Sequence, residues 1–103
     1  MSKMSRISEL LAITSRLIAC LEQEIGLIRG LKPREIKHIQ VEKAALADTY
    51  RAFVMALKEP GDENAPISAV LREELVEATE RVQASLADNL RALRAMRDVN
   101  ERV

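Results

Sequence analysis

Only two stretches of this chain are incompatible with the interior of a helix: "RGLKPRE" at residues 29 to 35 and "KEPGDENAPIS" at residues 58 to 68. Proline removes a backbone donor and clashes with the preceding turn, and glycine raises the entropic cost of helical order, so both stretches read as connections. Everything between them is rich in Ala, Leu, Glu, Arg and Lys with apolar residues at helical spacing. The chain therefore reads as all-α, with helices at about 5–29, 33–58 and 66–103, in a single domain covering residues 1–103. Its 103 residues support one modest core. With no Trp, one Tyr and one Phe, that core must be aliphatic.

The first helix has Ser5 as its expected N-cap and two apolar rows. Ile7, Leu11, Thr14, Ile18, Leu21, Ile25 and Ile28 alternate steps of four and three, as a heptad seam requires. Leu10, Leu17, Leu27 and Leu31 form a second row, interrupted by Glu24. A helix with two apolar rows touches two neighbours. Gly30 suits the left-handed residue that ends such a helix, and Pro33 the first turn of the next. The second helix carries Ile36, Ile39, Lys43, Leu46, Tyr50, Phe53 and Leu57, so a lysine occupies a seam position. The third starts between Pro66 and Ser68, with the seam Leu71, Leu75, Ala78, Val82, Leu86, Asn89, Leu93, Met96, Asn100 and Val103. Its two consecutive steps of four, from 78 through 82 to 86, predict a stutter.

Short connections make sequential helices antiparallel neighbours, which gives a three-helix, coiled-coil-like bundle. The first two helices span about 38 Å each and the third about 57 Å, so the third is expected to pass the Gly30–Pro33 turn near Ala92. An overhang of about eleven residues, "LRAMRDVNERV", would then carry apolar residues without a partner in the chain, and such a stripe marks an interaction surface. The residues assigned to it are Leu86, Asn89, Leu90, Leu93, Met96, Arg97, Val99, Asn100 and Val103.

Lys43 could in principle be a base with a lowered pKa, but no catalytic set accompanies it. Folding about the first turn brings it near residue 20, where Glu24 also interrupts an apolar row, so the two are expected to form a structural ion pair that fixes register. Asn89 can either set register or bond a partner's backbone. Arg91, Arg94 and Arg97, at i, i+3 and i+6, can meet an acidic or phosphate partner or simply complement the helix C-terminus. Cys20 and His38 lack the spaced partners that zinc or a nucleophile–base pair needs, so no catalytic, metal or cofactor site is expected. Sixteen basic residues balance sixteen acidic ones, which argues against a nucleic-acid binder. No secretory signal and no uninterrupted apolar run of membrane-spanning length is evident, so the reading is cytoplasmic without membrane insertion.

With those residues assembled, the chain resembles the FlgN-like flagellar export chaperones. The resemblance lies in "LEQEIGLIRG" ending the first helix, "EKAAL" in the second, and the run "LREELVEATERVQASLADNLRALRAMRDVNERV". Positions matching that family are Glu24, Lys43, and Asn89 with Leu90 and Leu93. The resemblance implies a bacterial chaperone that binds hook-associated, hook-filament junction proteins before export by the flagellar type III apparatus, using its C-terminal helix. Members of that family commonly continue past the point corresponding to Val103, so part of the surface is expected outside this sequence. The alternative is a structural or regulatory helical module that homodimerises through the C-terminal helix.

Overall fold

The computed structural model describes residues 3–58 and 68–102, with the side chains of residues 4–56 and 68–99. They form three helices, α1 (Lys3–Arg29), α2 (Pro33–Lys58) and α3 (Ala69–Arg102), and no strand among the described residues. Helix α1 begins two residues before Ser5, which lies inside its first turn rather than capping it. Ser68 does cap α3, its Oγ accepting the Leu71 backbone N–H at 3.1 Å.

The turn after α1 differs from its expected form. Lys32 N–H donates to the Leu27 carbonyl and Leu31 N–H to the Ile28 carbonyl, at 3.1 and 3.2 Å, which is the Schellman closure of a helix. In that closure the left-handed position belongs to Leu31, at φ 54°, and not to Gly30. Gly30 N–H instead continues the helical ladder to Gly26 at 3.0 Å, so the helix runs one residue further than the glycine suggests. A branched side chain at positive φ costs about 1 kcal/mol or more.

Both apolar rows of α1 are used. Its two faces pack α2 antiparallel and α3 parallel, while no Cα of α2 lies within 8 Å of one of α3 among the described residues. Arg6 donating to the Ala56 carbonyl at 3.2 Å, and Lys43 reaching Glu24, mark the antiparallel pair. The Arg6 bond also satisfies one of the carbonyls left unpaired at the end of α2. Thus α3 rests on α1 rather than beside its sequence neighbour α2. The core joins Leu17, Ile18, Cys20 and Leu21 of α1 to Ile39 and Leu46 of α2 and Val82 of α3. Leu21 is fully buried, a burial that contributes roughly 2 to 3 kcal/mol.

On α3 the buried row departs from the expected seam. Leu86 is 46% exposed, and Ser85 sits in the half-buried position instead. The inward row then runs 75, 78, 82, 85, 89, 92, 96, alternating threes and fours, so the expected stutter is absent. A small residue at 85 lets α3 keep its regular period and turns Leu86 outward. No described helix is long and apolar enough to cross a membrane.

Candidate docking surface

Three polar side chains, one from each helix, meet in the middle of the molecule. Lys43 Nζ donates to Glu24 Oε1 at 2.7 Å and to Asn89 Oδ1 at 3.3 Å, and Asn89 Nδ2 donates to the same Glu24 oxygen at 2.6 Å and to the Leu21 carbonyl at 3.2 Å. Glu24 has no exposed surface and Asn89 is 3% exposed. Burial alone would push the Glu24 pKa up, but hydrogen bonds from Lys43, Asn89 and Gln40, with the Lys43 charge, outweigh it and hold the carboxyl below its ordinary value. Glu24 Oε2 has no partner at hydrogen-bonding geometry.

The cluster revises the role of Asn89. It is not available to an outside partner, because both its amide donors and its carbonyl are spent inside the bundle and its surface is covered. The sequence leaves Asn89 either a register role or a partner role; the parallel packing of α3 on α1, which brings residue 89 to Glu24, decides for register. The same bonds set where α3 ends up. With Asn89 level with Leu21 to Glu24, successive turns bring Ala92, Met96 and Val99 level with Ile25, Ile28 and Leu31.

The eleven-residue overhang expected from Leu93 to Val103 is therefore not what the described residues show. Residues through Val99 lie beside the end of α1 and its turn, and together they line an open groove of about 790 Å³. The earlier expectation set α3 against α2, whereas its partner is α1 and the connecting turn. Ile25, Ile28, Ala92, Ala95, Met96 and Val99 make the groove's apolar surface, with Glu22 and Asp88 towards one end and Arg29 at the other. Val99 is 59% exposed and Leu31, at the groove's far end, 80%. Arg91 pairs with Asp88 one turn earlier along α3.

The residues assigned to the docking stripe thus divide between two sides of α3. Met96 and Val99 face the groove with α1. Leu86, Leu90, Leu93 and Arg97 follow each other along the opposite flank, towards α2, where Leu86 and Leu90 are each 46% exposed. The side chain of Asn100, and Val103, lie outside the described residues. Sequence reasoning missed Ile25, Ile28, Ala92 and Ala95 as groove residues; the i, i+3 alanines beside Met96 were the available signal, since small residues on a helix face let a second helix approach.

Cys20 is 3% exposed, its Sγ 3.6 Å from the Ile39 carbonyl. Burial, then the charges of Glu42 and Glu24, push its thiol pKa up, the opposite of what a nucleophile needs. His38 is exposed. No group of three or more His, Cys, Asp or Glu among the described residues could hold a metal ion. This chain matches no family model, no curated protein and no solved structure.

Proposed function

We propose that this protein is a helical export chaperone that seats an amphipathic helix of its client in the groove between the end of α1 and residues 88–99 of α3. The observation that carries this reading is the groove itself: about 790 Å³, open to solvent, apolar along its floor and charged at its ends. A helix lying in it would bury one face against Ile25, Ile28, Met96 and Val99, the helix-in-groove mode of recognition. Such a protein needs no catalysis. It covers an assembly-prone helix, then releases it, which a shallow groove allows better than an enclosed one.

The client class comes from the resemblance of Glu24, Lys43, Asn89, Leu90 and Leu93 to FlgN-like chaperones: hook-associated proteins, handed in the cytoplasm to the flagellar export apparatus. The test is co-purification of the full chain with the C-terminal region of a hook-associated protein. The expected result is a soluble complex that is lost on Met96→Glu with Val99→Glu while the helical signal and melting temperature stay unchanged. Self-association that those same substitutions abolish, with no client complex, would replace this reading by the homodimer.

A further inference from the structure

The groove continues into a second hollow on the same face of the α1–α3 pair. That hollow, of about 270 Å³, has Leu11, Ser15 and Ile18 of α1 and Glu74, Glu77 and Arg81 of α3 in its walls. Together with the groove residues, the α1 side makes a single row, Leu11, Ser15, Ile18, Glu22, Ile25 and Arg29, stepping by fours and threes. From Glu77 to Val99 the face is about 33 Å long, which matches a helix of about 22 residues.

Charge along this face is graded. Glu22 and Arg29 are both exposed and stand two turns apart on the α1 row, about 10 Å. Among the described residues neither makes an ion pair or a hydrogen bond, and the same holds for Glu74 and Glu77. Asp88 and Arg91 satisfy one another. The unmet charge is thus positive at the Arg29 end, whereas Glu22, Glu74 and Glu77 outnumber Arg81 along the rest.

Backbone direction carries the same information. Because α1 and α3 are parallel, both leave the partial negative charge of a helix C-terminus at the Arg29 end. On the other side of this pair α2 runs antiparallel to α1, reaching α3 through Lys43, and so brings its positive N-terminus to that end. A helix in the groove meets the same two dipoles from the opposite side.

On the reading of the groove as the client site, we infer that it receives its helix antiparallel to α1 and α3, with carboxylates in the first turn of that helix against Arg29 and amines in later turns against Glu22 and Glu77. Acidic residues in a first turn and basic ones in a last turn complement a helix's own dipole, so the charges this face leaves unmet are those an antiparallel helix presents. A parallel helix would set its basic last turn on Arg29. Neither α1 nor α3 has an acidic residue in its first turn, so a second copy offering α3 does not supply the match.

The test uses the full chain and two designed helical peptides of about 22 residues, alike in composition and apolar face. The first has Glu in its opening turn and Lys in later turns; the second has the two exchanged. Each is titrated by fluorescence anisotropy against the unaltered chain and against Glu22→Lys with Arg29→Glu, both at exposed positions. The Glu-first peptide is expected to prefer the unaltered chain and the Lys-first peptide the exchanged one, the ratio of affinities shifting by about tenfold or more at low salt. Comparing ratios cancels any difference in helix content between the peptides. Direction is read from a bimane on Lys32→Cys, in the turn beyond Arg29, since the chain has no Trp of its own and Cys20 is 3% exposed. A Trp in the first turn of the Glu-first peptide is expected to quench it, and one in the last turn is not.

Quenching by the last-turn Trp would overturn the inference. So would binding that is lost on Met96→Glu with Val99→Glu but indifferent to the charge exchange, which leaves the groove as a docking site without a preferred direction. Self-association through this face that neither peptide displaces would overturn it in favour of a second copy. Binding of neither peptide overturns the charge order, and the client complex then decides the chaperone reading separately.

Discussion

The middle of the molecule and the far end of α3 handle polarity in opposite ways. In the middle, a buried carboxylate and a buried amide bond one another and the ammonium of the half-buried Lys43. At the far end, Val99 and Leu31 are exposed while the charged groups sit at the rim. The two are linked, because the polar cluster fixes the level of α3 against α1 and that level decides which apolar residues line the groove. A buried pair adds little net stability compared with a well-packed apolar substitute, and its best-attested use is to specify register. Here register is what creates the candidate docking site.

The largest break of this comparison is removal of one charge from the centre. Lys43→Met leaves a fully buried carboxylate with no cation beside it, only the amides of Asn89 and Gln40, and should cost about 3 kcal/mol in urea denaturation. Glu24→Gln should cost less, because the Lys43 side chain is 24% exposed and its freed ammonium can turn to water. The double substitution should be less destabilising than the two singles summed, by about 1 kcal/mol or more. Additive effects would dissolve the cluster as an energetic unit, and with it the idea that the centre dictates the end.

How much of this was legible beforehand follows the same division. Helix positions were readable because Pro33, the 58–68 break and the heptad spacing are local signals. Glu24 and Lys43 were readable as partners because each interrupts an apolar row and a hairpin has one simple register. Leu86 was misplaced, and the role of Asn89 left open, for a non-local reason: which helix α3 rests on, and whether residue 85 or 86 turns inward, depends on packing against α1. Ser85 gives no hydrophobic signal, so the period was read through Leu86. The groove was misread as an overhang because α3 was measured against the wrong neighbour.

A milder perturbation titrates the centre without altering it. The Glu24 carboxyl is held below its ordinary value of 4.5, so at pH values near and below 4.5 the unfolded chain takes up the proton first. Stability then rises with pH through this window and falls as pH drops towards the folded pKa. The pH dependence of the melting temperature should flatten in that window on Glu24→Gln. An unchanged slope would assign acid sensitivity to the exposed carboxylates instead.

The smallest effect belongs to the far end and runs in the other direction. Leu31 sits at φ 54° with 80% of its surface exposed, so its side chain contributes little burial to set against the backbone strain. Leu31→Gly should therefore stabilise the chain, by about 0.5 to 1 kcal/mol once the greater freedom of glycine in the unfolded state is subtracted. If the strain serves only the turn, client affinity is unchanged by this substitution. If Leu31 is held outward as the end wall of the groove, the variant gains stability and loses affinity together. A measured loss of stability would show that Leu31 packs against something its exposure does not reveal, and the contrast between a closed polar centre and an open apolar end would have to be redrawn at the turn.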